Sequence, residues 1–295
     1  MPSAGPPTGL PLPPHLAPLP PGRPLPGGGQ VLAGVPYATL PGVRPLELDL
    51  YLPPAGPVPA PVVVFLHGGG WRLGSRRSVG PAYPGPTAEG TAPTPFEVVA
   101  AAGIAVASVD YRLTGEATWP AQLDDAKDAV GWLRLRADDL GVDPARIAAW
   151  GESAGGHLAA LLGLSGTVTA VAAWYPPSDL AALPGDTGAD PGAPDSREAQ
   201  LLGAPLAAVP ELAAAASPVA YVAPGAPPFL LLHGRADRAV PWEQSERFAA
   251  ALRAAHVAVD FVCYDDADHM WLGSPAAATD ALARTSAFLR RQLGA

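Results

Sequence analysis

Three residues of this chain, each just past an apolar run, have the types and the order needed for acyl transfer: Ser153, Asp237 and His269. Ser153 lies in Gly151-Glu152-Ser153-Ala154-Gly155-Gly156-His157, between the apolar stretches 146–150 and 158–162. Strand, sharp turn and helix in that order push a serine hydroxyl out of a sheet, and the crowded turn demands small neighbours. Taken alone, Ser153 reads equally well as a helix N-cap. What separates the two readings is whether partners exist, because a serine hydroxyl near neutral pH needs a base, a group to orient the base, and donors for an oxyanion.

The base is His269, in Asp265-Asp266-Ala267-Asp268-His269-Met270-Trp271, directly after a strand-like run. The other histidines have simpler roles. His15 lies in the Pro-rich N-terminal segment, His256 ends a helix, His67 and His233 begin glycine turns and brace them, and His157 packs one turn past Ser153. Asp268 adjoins His269 in sequence and should point elsewhere. The acid is Asp237, on a short loop after a buried strand, where ligands gather in parallel sheets. Asp179 is the alternative, but it opens a long excursion. Oxyanion donors are available in His67-Gly68-Gly69-Gly70-Trp71, where three glycines let several amides point at one spot.

These residues need a scaffold, and the hydrophobic pattern predicts one. Leu46, Leu48, Leu50 and Leu52 alternate as in a half-buried strand, while 61–66 and 104–109 are continuous apolar strands. Residues 122–140 have helical periodicity, with Leu123, Ala126, Val130 and Leu133 on one face. Strands at 146–150, 168–174, 229–232 and 257–264 follow, with helices at 243–254 and from about 276 to 293. Alternating strand and helix predicts an α/β fold with a mainly parallel central sheet flanked by helices on both faces. Residues 1–36, dominated by Pro and Gly, read as an extended or disordered arm, and 37–295 as one catalytic domain. Residues 74–95 read as loop. Within 176–228, a lid-like insertion, short helical stretches are expected at 197–202 and 206–216.

Bulk properties exclude several classes. The net charge of −9 without a basic cluster disfavours nucleic-acid binding. A single cysteine, Cys263, rules out an internal disulfide and reads as a small core residue in a strand. The uncharged span 158–178 is broken at 165–167 and ended by Pro176-Pro177, so no membrane span is expected. Nothing at the N-terminus has the pattern of a signal peptide, and a cytoplasmic location is expected. No metal-ligand spacing and no dinucleotide or phosphate loop occurs, so no cofactor is expected. The expected partner is a small-molecule substrate, and the oligomeric state is not encoded legibly.

The motifs HGGGW (67–71), VDYRL (109–113), WPAQLDDAKDAVGWLR (119–134), GESAGGHLA (151–159), LLHGRADRAVP (231–241) and DADH (266–269) resemble the α/β-hydrolase superfamily. The branch is that of hormone-sensitive-lipase-like and feruloyl/acetylxylan-esterase-like serine esterases. The resemblance runs from about Pro45 to the C-terminus. It implies an α/β-hydrolase fold with Ser153 as nucleophile, His269 as base and Asp237 as its partner. The amides of Gly69, Gly70 and Ala154 would form the oxyanion hole, with Gly68 a less favoured donor. It implies a carboxylesterase acting on short-chain or aryl esters. An arylformamidase-like amidase or a small peptidase shares the machinery, and a non-catalytic ligand receptor shares the fold. Trp71 and Trp271, flanking the oxyanion turn and the base, are expected beside the reacting carbon as substrate-binding residues. The Pro-rich arm departs from relatives that carry a helical N-terminal cap.

Overall fold

The computed structural model describes residues 12–83 and 93–295. In chain order the strands and helices are β1 (Arg23–Pro24), β2 (Gln30–Ala38), β3 (Leu46–Leu52), β4 (Ala60–Leu66), α1 (Pro95–Ala101), β5 (Ala105–Val109), α2 (Ala121–Leu135), α3 (Ala137–Leu140), β6 (Val142–Glu152), α4 (Ala154–Leu164) and β7 (Val171–Trp174). They continue as α5 (Leu183–Thr187), α6 (Arg197–Leu202), α7 (Pro210–Ala215), β8 (Phe229–Gly234), α8 (Glu243–Ala254), β9 (Val259–Tyr264) and α9 (Pro275–Leu293). The nine strands form one sheet in the order β1-β2-β3-β5-β4-β6-β7-β8-β9. From β5 to β9 the neighbours run parallel, and the β1-β2-β3-β5 side is antiparallel.

Strand alternation sends successive residues to opposite faces. Val62, Val64 and Leu66 of β4 enter one apolar cluster with α2, α4 and α8, through Leu123, Leu158 and Phe248 among others. Val63 and Phe65 enter the second, where Phe96 of α1 and Phe288 of α9 cover the other face. That is why the central strands read as unbroken apolar runs: both faces are covered. β3 is likewise buried along nearly its whole length rather than on one side. Cys263 is half-buried, because β9 is the last strand of the sheet.

The boundary at residue 36 falls inside β2, and Leu25, Val31, Leu32 and Val35 are buried. Gly34, Pro36 and two register shifts in the β2–β3 pairing break the period-two pattern, which hid this strand in the sequence. Upstream, the Arg136 guanidinium donates to the Ala17 carbonyl at 2.9 Å, tying residues near 17 to the α2–α3 junction. Residues 1–11 of the N-terminal arm lie outside the described residues. Between β7 and β8 the excursion is anchored on α8. The Gln244 Oε1 accepts the amides of Ser178 and Asp179, and Arg247 pairs with Asp186. Among the described residues no helix is long and apolar enough to cross a membrane.

Candidate active site

The serine turn is built by what cannot fit around it. A Cβ at Gly155 would stand 1.9 Å from the Leu66 carbonyl oxygen, and one at Gly151 would stand 2.2 Å from that of Gly155. Glycine at both positions lets α4 start against the ends of β4 and β6. Ser153 between them has φ 52° and ψ −119°, a conformation L-residues avoid. Such strain persists only where its surroundings over-determine it. Here the Ser153 amide donates to Trp174 at 2.9 Å and its carbonyl accepts from His157 at 3.0 Å. The hydroxyl does not cap the helix. It donates instead to His269 Nε2 at 3.0 Å.

His269 and Asp237 follow the parallel neighbours β9 and β8. His269 Nδ1 donates to Asp237 Oδ2 at 2.7 Å, while Oδ1 accepts the amides of Ala239 and Val240 at 2.9 and 2.8 Å. His233 Nε2 lies 3.3 Å from the same carboxylate. Burial alone would raise the Asp237 carboxyl, but hydrogen bonds from His233 and His269 prevail and hold it well below the usual range. The acid is therefore ionised and its Nδ1 partner fixed. Asp268 accepts from the amides of Arg238 and His269, which staples the Asp237 loop to the His269 loop. Asp179 lies elsewhere: it caps the turn at Ala182 and faces Arg247.

The glycine turn after β4 is held from below. The His67 ring stacks on Tyr111 with centroids 4.3 Å apart, and Nδ1 donates to the Gly68 carbonyl at 2.7 Å. Burial lowers the His67 pKa to about 4, so it braces the turn as a neutral ring. The Gly69 carbonyl accepts from Arg72 and Leu73, and φ is 111° at Gly69 and 62° at Gly70. Among the described residues the amides of Gly69, Gly70 and Ala154 find no acceptor, leaving three donors beside the serine turn. The Gly68 amide is turned to Glu152 Oε1 at 3.4 Å.

Trp71 and Trp271 depart from expectation. Each is 1% exposed, and neither lines the cavity holding Ser153. A positive φ at each turns the indole inward. Trp71 donates to His157 Nδ1 at 3.3 Å, and Trp271 packs on Trp174, Tyr175 and Tyr264. They are core residues that shape the turns from behind.

Ser153 opens into a cavity of about 290 Å³, with Leu73, Val79, Pro81 and Met270 among its walls. A groove of about 730 Å³, walled by Leu183, Thr187 and Leu206 of the excursion, meets it. Arg72, Arg197, His269 and Met270 border both. Among the described residues no group of His, Cys, Asp or Glu is arranged to hold a metal ion.

Glu152 was not singled out in the sequence, although it is the one Asp, Glu, Lys or Arg between Arg146 and Asp179. It is 4% exposed and lines the Ser153 cavity. Its carboxylate accepts from Tyr175 Oη at 2.9 Å and the Gly80 amide at 3.2 Å, besides Gly68, and so joins three segments around Ser153. Burial raises its pKa despite these donors. A carboxyl raised in the fold contributes stability that is present below its unfolded value of about 4.3 and lost as pH rises through the folded value. Glu152→Gln abolishes that loss, so the variant's stability relative to the parent should improve from pH 4 towards pH 7. Urea midpoints of both proteins across this range check it, and a pH-independent difference contradicts it.

A family model described as BD-FAE matches residues 48–252. The chain is 34% identical over 209 residues to "Esterase LipC" of Mycobacterium tuberculosis, covering 66% of this chain and 49% of the relative, so it spans about half that protein's length. A truncated carbohydrate esterase from gut microbiota superposes with a TM-score of 0.76 at 25% identity, over 92% of this chain and 99% of that one. A propionate-bound esterase from Thermogutta terrifontis gives 0.67 at 26% identity, over 90% and 94%.

Proposed function

The chain belongs to the BD-FAE family of α/β-hydrolase serine esterases, and from that premise we propose that it hydrolyses carboxylic esters of small acyl groups through an acyl-enzyme on Ser153. The observation that carries the proposal is the continuous relay from Ser153 Oγ through His269 to the buried Asp237 carboxylate. His269 Nε2 takes the serine proton as Oγ attacks the ester carbonyl. The ionised Asp237 keeps the other ring proton on Nδ1 and stabilises the imidazolium that forms. The amides of Gly69, Gly70 and Ala154 stabilise the oxyanion, and rigid amides need no reorganisation to do so. His269 then protonates the departing alcohol, and water attacks the acyl-enzyme by the same path.

Small acyl groups follow from the cavity of about 290 Å³ at Ser153, which lies at the lower edge of ordinary ligand pockets. The propionate found in the Thermogutta terrifontis esterase is consistent with it. Across p-nitrophenyl esters from acetate to palmitate, kcat/KM should peak at about two to six acyl carbons. The decline should be graded, since one methylene is worth about 1–3 kcal/mol in such a pocket. A maximum at ten carbons or beyond would overturn the size assignment.

A further inference from the structure

Two guanidinium groups stand where the Ser153 cavity meets the larger groove. Arg72 follows the glycine turn directly, and Arg197 begins α6 in the excursion. Both border both cavities together with His269. The Arg197 stem lies on the glycine turn itself: a Cβ at Gly70 would stand 2.7 Å from Arg197 Cδ. The bare Gly70 thus leaves room for an arginine over a proposed oxyanion donor.

Among the described residues neither group has a carboxylate within ion-pair distance, whereas nearby cations are committed: Arg238 to Asp268, Arg76 to Asp49 and Asp110, Arg247 to Asp186. An unpaired arginine on an open surface is merely solvated. Arg72 and Arg197 are exposed, but both border the two cavities that His269 also borders, and a pair of guanidinium groups there forms a site for a planar anion, which they bind by paired N–H donors. The carboxylates of the cavities limit where that anion sits. Asp190, Asp195, Glu198 and Asp268 border only the groove, and Asp268, the one beside His269, is paired with Arg238. Glu152 borders the Ser153 cavity, but its oxygens are taken by Tyr175, Gly68 and Gly80. An anion far along the groove meets like charge, and one close to the ester meets the two arginines.

Granting the ester hydrolysis assigned to Ser153 above, we propose that Arg72 and Arg197 select esters whose alcohol half carries a carboxylate close to the scissile bond. The acyl half occupies the smaller cavity, and the alcohol half enters the groove past the two arginines.

The test compares kcat/KM for 3-acetoxybenzoate, phenyl acetate and the phenyl half-ester of succinate, which carry the anion on the alcohol, nowhere, and on the acyl group. In Arg72→Gln and in Arg197→Gln the preference for 3-acetoxybenzoate over phenyl acetate should fall about tenfold, mainly through KM, as for loss of a charge-assisted contact. Arg197→Lys should retain most of it. Added salt should weaken the preference of the parent protein. Turnover of phenyl acetate with the preference unchanged in both glutamine variants would overturn the arginine assignment alone. A loss seen only with the succinate half-ester would overturn the alcohol-side placement. No turnover of any ester by the parent protein would overturn the esterase proposal and this one with it.

Discussion

Ser153→Ala lowers kcat on p-nitrophenyl acetate by about 10⁴-fold or more while the fold survives. The serine hydroxyl does no structural work: it caps nothing, and its one hydrogen bond among the described residues is to His269. Alanine keeps the Cβ, so the strained backbone at 153 is no worse in the variant, and Gly151 and Gly155 still accommodate the turn. Rate and stability therefore separate. Far-UV circular dichroism and the unfolding midpoint should match the parent protein. What residual rate remains comes from the oxyanion donors and binding alone. More than a tenth of the parent rate in pure protein would remove Ser153 from the reaction.

Asp237→Asn should cost about 10⁴-fold in kcat, for a reason that lies in the proton's position rather than in the fold. Asn Oδ1 can still accept from Ala239 and Val240, which pins the loop and turns the amide NH₂ towards His269 Nδ1. That NH₂ donates, so Nδ1 must accept, and the ring proton moves to Nε2. A protonated Nε2 cannot take a proton from Ser153. Asp179→Asn is the matched control, because its carboxylate holds only a turn and faces Arg247. Its kcat should stay within a few-fold of the parent. The opposite pattern, Asp237→Asn active and Asp179→Asn inactive, would move the acid to the other loop.

The scaffold and the relay were legible because both are written in short, local signals. Short, valine-rich apolar runs such as 61–66 point to strands covered on both faces, and the Gly–x–Ser–x–Gly spacing reflects collisions that forbid a Cβ at 151 and 155. β2 was not legible, because register shifts between Leu32 and Val35 and between Pro36 and Ala38 scramble the alternation that marks a strand. The two tryptophans misled for a different reason. Position next to a reactive residue says nothing about side-chain direction, and a positive φ reverses it. Glu152, Arg72 and Arg197 carry no motif of their own. Their places arise only when segments far apart in sequence close around the nucleophile, although a lone carboxylate in a long uncharged stretch was a usable signal for Glu152.

His269, the base of the proposed relay, follows β9, which among the described residues is the outermost strand, pairs only with β8 and has no fully buried residue. Elements of that kind open through local fluctuations well below the free energy of global unfolding. The tryptophan-rich interior around Trp150 and Trp174 belongs to the opposite extreme. Heat inactivation is thus expected to precede heat denaturation, the first following fraying at this rim and the second loss of the centre, so reinforcing the β8–β9 margin should prolong activity at high temperature more than repacking the core does.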